Sequence, residues 1–414
     1  MTTESAAAGP PYIESMQSFR QRHDVVVVGA RAAGAATALL LARHGHDVVL
    51  VDRSSFPADT LSTHQLARPG VVQLRRWGLL QAVLDSGAPA VRQVTFTAAG
   101  ESVTRTLKHS AGVDLLVAPR RYILDTLVAQ AAAEAGADVR FGVTVEGVHL
   151  DDAGRAVGVY GHDRTGAAVD VAARFVVGAD GLGSRVARAV GAEIIEDRGA
   201  PGAAQYAYFA GLPWPGIELI AADRSFTGVF PTHHGEACIW ICGPTADARD
   251  ARRHAASRED AFTAYLHRTA PELAVRLRAG RRMSPVTGML RTPNYLRRAH
   301  GPGWALAGDA GYHRDAVTGH GLSDAYRDAE LLATALHQAL RGEIDPDSAL
   351  AGYQRQRDRA LREVFDLTVA LAGYPPVPDF VELQKKVARA LDAEAAELAA
   401  RPSLSPDEHL LTTA

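Results

Sequence analysis

Short unbroken runs of apolar, mostly β-branched residues punctuate the chain and end in Gly or Asp. The first two are Asp24-Val25-Val26-Val27-Val28-Gly29 and Asp47-Val48-Val49-Leu50-Val51-Asp52. Arg174-Phe175-Val176-Val177-Gly178 and Trp304-Ala305-Leu306-Ala307-Gly308 repeat the pattern much later. Runs with no polar alternation predict strands buried on both faces of a parallel sheet. Ala30 to His44, rich in Ala and Leu, predicts a helix, so the first two strands and this helix form one βαβ unit. Ala67 to Leu84 also reads as a helix. Arg121 to Ala135 does too, with Ile123, Leu124, Leu127, Val128 and Ala131 at a 3.6-residue period. Val91 to Thr106 and Val139 to Leu150 alternate apolar and polar residues, which suits strands with one face exposed.

From Gly199 to about Val286 the pattern changes to strands such as Thr227–Pro231 and Ala237–Cys242, with one helix near Ala261–His267. Helices follow at His320–Leu340, Pro346–Leu371 and Val381–Ala399. The fold class this predicts is α/β: a doubly wound, Rossmann-type nucleotide-binding domain, discontinuous over 23–90, 116–198 and 287–344. A strand-rich substrate domain takes 91–115 and 199–286, and C-terminal helices take 345–400. The polar ends, 1–22 and 401–414, are expected to be disordered tails.

Composition narrows the class. The 414 residues are 47% hydrophobic and 22% charged, as in ordinary globular proteins, and suffice for two or three domains. A net charge of −3 offers no basic excess to nucleic acid or anionic lipid. Two cysteines cannot build a disulfide framework, which suits a reducing compartment. The longest apolar stretch, Ala32 to Ala42, falls far short of the roughly 20 residues of a membrane span. With no charged-then-apolar leader at the start, a soluble cytoplasmic protein is expected.

The candidate chemistry lies in three glycine-bearing turns, each following a buried strand. The first, Gly29-Ala30-Arg31-Ala32-Ala33-Gly34, places glycines at the first and third positions of the dinucleotide fingerprint, with Arg31 at the second. Such a turn delivers the N–H groups of a helix N-terminus to a pyrophosphate, and Asp52 stands where an acid binds a ribose hydroxyl. The second turn is Gly178-Ala179-Asp180-Gly181-Leu182-Gly183-Ser184-Arg185, and the third is Gly308-Asp309-Ala310-Gly311. Either alone reads as an ordinary strand-to-helix turn. Three in this order carry information.

With these motifs the sequence resembles the flavoprotein monooxygenases of the para-hydroxybenzoate hydroxylase type and their relatives, the geranylgeranyl reductases and flavin halogenases. The resemblance spans Asp24 to about Ala333. It implies a Rossmann-type FAD-binding domain in which Gly29, Ala30, Gly34, Asp52 and Arg53 hold the adenosine half of FAD; Arg31, also a cofactor-binding candidate, either lends charge to the pyrophosphate or points to solvent. By the same likeness Arg121 contacts the cofactor, and Asp180 and Arg185 serve FAD and nicotinamide nucleotide together. Gly308 and Asp309 fall on the motif that bonds the ribityl chain. Thr318, Gly319, Gly321 and Leu322 fall on the loop against the flavin ring, where Ala316 stands in place of the family's usual proline. Phe230-Pro231 is similar to an element over the active site of halogenases and geranylgeranyl reductases, with Gly228 where an aromatic residue is usual. NAD(P)H is the implied electron donor; a partner flavin reductase is the alternative, since no second glycine fingerprint is present.

His64, in Thr60-Leu61-Ser62-Thr63-His64-Gln65, and His313 and His320, flanking the flavin loop, are the candidate acids or bases, although histidines in such places more often form polar walls. No metal is expected, because no His or Cys pair has ligand spacing beside carboxylates. Cys238 and Cys242 share one face of a strand and read as core. The only lysines, Lys108, Lys385 and Lys386, lie far from the fingerprint, which disfavours a halogenase. No Gly-x-Ser-x-Gly elbow supports a hydrolase. The leading expectation is an FAD-dependent monooxygenase that hydroxylates or epoxidises a small organic metabolite. A flavin-dependent alkene reductase is the enzymatic rival, and a binding protein on a related fold is the non-enzymatic one.

Overall fold

Val25, Val26 and Val27 have no solvent exposure, and neither do Val48 to Val51, because both faces of their sheet are covered. The structure, a computed structural model, describes residues 22–402 except Thr63. The tails expected at 1–22 and 401–414 lie almost wholly outside these residues. In chain order the first half runs β1 (Arg22–Val28), α1 (Ala32–Arg43), β2 (Val48–Asp52), α2 (Arg68–Arg76), α3 (Leu80–Asp85), β3 (Gln93–Ala98), β4 (Glu101–Thr106) and α4 (Arg121–Glu134). Then come β5 (Asp138–Phe141), β6 (Thr144–Leu150), β7 (Ala156–His162), β8 (Ala168–Gly178), α5 (Arg185–Ala189) and β9 (Ile194–Asp197). The second half holds β10 (Gly202–Ala210), β11 (Ile217–Ala222), β12 (Ser225–Pro231), β13 (Ala237–Pro244), α6 (Thr245–Arg253), α7 (Arg258–Thr269) and α8 (Pro271–Leu277). After short strands come α9 (Gly321–Leu340), α10 (Pro346–Leu371) and α11 (Val377–Ala399).

In the first sheet, the strand Trp304–Leu306, β8, β1, β2 and β5 lie side by side and parallel, with Val25 opposite Val48 and Val28 opposite Val51. Helices α1, α4 and α9 cover one face. The β6–β7 hairpin, antiparallel to β8, and α5 enclose the other. This is the doubly wound α/β fold.

The second sheet has the order β10-β13-β12-β11-β3-β4, antiparallel except between β11 and β3. Its strands alternate strictly. On β13, Ala237, Ile239 and Ile241 pack beneath α7 and α8, while Cys238, Trp240 and Cys242 face α10 and α11. Both cysteines are therefore core, and burial pushes both thiols up. The inner face of this sheet also carries Tyr206, Tyr208, Phe226 and Phe230.

Two helical expectations are corrected. Ala67 to Leu84 is two helices, because Gly78 adopts a left-handed φ of 73° between them. The region 199–286 holds three helices, not one. The polar stretch that forms α6 hides its helicity from a hydrophobic pattern, and Pro271 opens α8 at a first-turn position where its missing N–H costs nothing. Among the described residues, no helix is long and apolar enough to cross a membrane.

Candidate active site

Because β1, β8 and Trp304–Leu306 are adjacent and parallel, the turns after them open at one edge of the sheet. This is the edge at which doubly wound sheets bind ligands. Gly29 has φ +105°, and a Cβ there would come within 2.4 Å of the Ala179 carbonyl oxygen. A Cβ on Gly34 would lie 1.8 Å from the Gly29 carbonyl oxygen. Both glycines are required by close backbone approach. The Ala30 N–H donates to Asp52 at 2.8 Å, and the other Asp52 oxygen accepts the Ser54 N–H at 2.7 Å, so this acid fixes the first turn.

Arg31, in the middle-glycine position, caps α1 and reaches across the turn. Its guanidinium donates to the Ala58 carbonyl at 2.5 Å and to Asp125 at 2.9 Å. Asp125 is fully buried and also accepts from Arg121 at 3.0 Å. Two cations thus share one carboxylate, and both line a deep cleft. The excess positive charge suits an anion there.

The cleft continues past Ala179 and Gly181 to Gly308, Asp309, Thr318, Gly319, His320, Gly321 and Leu322. Asp309 is exposed at its floor, and among the described residues its carboxylate takes no hydrogen bond. Gly308 holds φ +59° and donates its N–H to Asp328. Beyond it, Asp315 caps the turn Ala316–Thr318 by accepting the Val317 N–H at 2.9 Å, and Asn294 accepts the Asp315 N–H at 2.7 Å. This side-chain scaffolding fixes the loop without a proline at Ala316. Gly319 is left-handed, with φ +66°. The N-terminal N–H groups of α9 follow with no side-chain cap, so they can receive partial negative charge.

Asp180 and Arg185 are differently employed. Asp180 accepts from Ser184 and from the N–H groups of Arg185 and Val186, holding the start of α5. The Arg185 side chain donates to the Val145 carbonyl at 2.9 Å, away from the cleft. Arg53 is exposed beyond β2 and is not among the cleft-lining residues.

The three histidines separate. His64 is wholly buried with φ +63°, behind the cleft wall, and its Nε2 pairs with the Tyr208 hydroxyl. Burial, then Arg121 and Arg120, hold its pKa well below the usual value, so it stays neutral. His313 lines the cleft and donates through Nδ1 to the Pro293 carbonyl at 2.6 Å. His320, buried at the entry to α9, has its pKa lowered to about 3 by burial and by Arg314.

A second cavity meets the cleft at Trp240, Thr318, Gly319 and His320. Its walls include Phe226, Phe230 and Leu219 from the second sheet and Val387 and Leu391 from α11. Sequence reading missed Tyr206, Trp240, Thr292, Asp315 and Gln384 in these walls. Strand alternation could have flagged Tyr206 and Trp240. Gln384 gave no signal before the helices were placed.

The sequence matches the FAD binding domain family over residues 22–368. The chain belongs to that family. It is 29% identical over 325 residues to the menaquinone reductase of Mycolicibacterium smegmatis, covering 73% of each chain. It is 25% identical over 410 residues to the 2,4-dichlorophenol 6-monooxygenase of Delftia acidovorans, covering 88% of this chain and 67% of the relative. The flavin-dependent brominase Bmp2 has the same fold, with a TM-score of 0.77 at 18% identity over 95% of this chain and 100% of the other. Family membership makes this an FAD-binding oxidoreductase fold. The residues fit the cofactor: two glycines without room for a side chain, two arginines sharing one carboxylate beside the cleft, an exposed Asp309 whose carboxylate takes no hydrogen bond among the described residues, and an uncapped helix N-terminus.

Proposed function

We propose that this protein is an FAD-dependent monooxygenase that takes electrons from NAD(P)H and transfers oxygen to an uncharged, largely apolar organic substrate. Bound FAD supplies the redox chemistry, accepting electrons from the nucleotide and passing them to dioxygen. The chain supplies binding, orientation and exclusion of water. Gly29, Ala30, Arg31, Gly34 and Asp52 would form the dinucleotide end of the site, with Arg121 along it and the Asp309 carboxylate available to a ribityl hydroxyl. The backbone of Gly319 to Leu322 would face the ring, stabilising negative charge from the α9 N-terminus.

The observation that carries the reading is the second cavity. It abuts the Thr318–His320 segment, and among the described residues no Asp, Glu, Lys or Arg lines it. A largely apolar chamber beside the ring would favour oxygen transfer to a held substrate over unproductive release of peroxide. His320, neutral and with no hydrogen-bond partner for its Nδ1 among the described residues, stands where the two cavities meet and can hold or pass a proton there.

The 29% identity to a menaquinone reductase favours a second reading, in which the reduced enzyme delivers hydride to an alkene or quinone. One experiment separates them. Under labelled dioxygen, the monooxygenase yields a product carrying one labelled oxygen and yields none anaerobically. Product gaining two hydrogens in the absence of oxygen overturns the proposal in favour of the reductase.

A further inference from the structure

The wall of the second cavity is built partly from residues beyond the family match. The family match ends at residue 368, whereas Gln384, Val387 and Leu391 belong to α11, which begins at Val377. This helix is anchored. Asp392 pairs with Arg68 of α2 at 3.0 Å, Glu394 pairs with Arg327 of α9 at 3.3 Å, and Ala395 and Leu398 enter the core of the first layer. The helix therefore presents a fixed surface to the cavity.

Two polar atoms on that cavity are buried and without hydrogen-bond partners among the described residues: Gln384 Nε2 on α11 and His320 Nδ1 at the entry to α9. Buried polar groups are almost always paired, and each one left unpaired costs folding free energy. Groups of this kind that line a cavity await a partner that enters it. The Gln384 amide nitrogen is a donor, so its partner carries an acceptor oxygen. The surrounding Phe226, Phe230 and Trp240 offer ring faces, and no charged side chain is present to compensate a carboxylate or phosphate.

We infer that Gln384 is a specificity-determining residue, which selects an uncharged ring-containing substrate bearing a carbonyl oxygen by donating a hydrogen bond to it from the α11 wall. This rests on the reading that the second cavity receives the substrate. It assigns selection to a helix that lies beyond the residues matched to the family.

The test uses the FAD-loaded, oxidised protein and two compounds of one skeleton, 1-tetralone and tetralin, which differ in a carbonyl oxygen. Titration is followed by the shift of the flavin absorption bands. Wild type is expected to bind 1-tetralone about tenfold more tightly than tetralin, the worth of one neutral hydrogen bond. Gln384→Leu, which keeps the wall filled, should bring the two affinities together by weakening 1-tetralone alone. Gln384→Glu should lower the affinity for 1-tetralone further, since the carboxylate repels the carbonyl. Val387→Trp, which fills the cavity, should weaken both compounds. Equal affinities in wild type, or a preference that survives Gln384→Leu in a protein with an unchanged flavin spectrum and melting temperature, overturns the inference. Binding is read without turnover, so the isotope experiment can fail while this one succeeds, and the reverse.

Discussion

Arg31 and Arg121 meet on a single carboxylate: Asp125, fully buried, accepts from Arg31 at 2.9 Å and from Arg121 at 3.0 Å. The residue that interrupts the glycine fingerprint is thereby tied to helix α4, and this group of three side chains carries one more positive charge than negative. Removing the shared carboxylate leaves two cations close together in a poorly hydrated site. Asp125→Ala is expected to lower stability by about 3 kcal/mol, the lower end for breaking a buried ion pair. Urea unfolding of FAD-free protein measures it. With FAD bound the loss should be smaller, because the dinucleotide's phosphates can supply the missing negative charge. An equal or greater loss in loaded protein would place those phosphates elsewhere.

Asp309 offers the opposite case, a carboxylate with no hydrogen bond of its own among the described residues. Asp309→Ala should leave the unfolding of FAD-free protein unchanged. FAD dissociation should rise tenfold to a hundredfold, as expected for about 1.5–3 kcal/mol in a hydrogen bond to a charged group. Fluorescence of released flavin gives both constants. Unaltered affinity would remove Asp309 from the cofactor site.

These two acids show how unevenly the site was legible. Asp309 could be found from sequence because its motif is local: a buried strand, a glycine and an acid within a few residues. The βαβ unit was visible for the same reason, since runs such as Val25–Val28 have no polar alternation. Asp125 was invisible as a partner of Arg31 because a sequence separation of 94 is closed only by tertiary structure. For Asp180 the local text does not decide, since an Asp-Gly turn that holds the start of its own helix, as this one does, and one that serves a ligand read alike. Tyr206, Trp240 and Gln384 reach the cleft and the cavity beside it from strands and a helix far apart in the chain; alternation marks the face of the two aromatic residues, but no local pattern marks Gln384.

Several histidines lose basicity on folding, and this sets a pH dependence. Burial is the largest cause for His64, for His320, lowered to about 3, and for His233, lowered to about 4. Below pH 6.5 the unfolded chain binds protons at these rings that the folded chain does not. Their contribution is thus present above pH 6.5 and is lost progressively as pH falls. Asp328, raised to about 6 by burial, works in the opposite sense, so the comparison must be with a single-site variant. His64→Gln should flatten the decline in unfolding free energy between pH 6.5 and pH 5 by up to about 1.4 kcal/mol per pH unit, one proton's worth. A decline as steep as wild type's would mean that His64 is protonated in the fold.

The flavin loop gives the prediction that bears most directly on oxygen chemistry. Gly319 holds φ +66° between the turn capped by Asp315 and the uncapped start of α9. A β-branched residue is poorly tolerated there, and the left-handed region costs such side chains at least about 1 kcal/mol. Gly319→Val should therefore displace the loop rather than unfold the protein, because its anchors, Asp315 to Val317 N–H and Asn294 to Asp315 N–H, lie on the far side of the turn. The displacement opens the boundary between the cleft and the second cavity to water. NAD(P)H consumption should persist, while the share of electrons appearing in oxygenated product falls at least several-fold and hydrogen peroxide rises to match. Parallel assays of NAD(P)H, product and peroxide measure the split. If product and NAD(P)H consumption fall together and peroxide stays at its wild-type share, the loop serves electron delivery and not the shielding of the oxygen-transfer step.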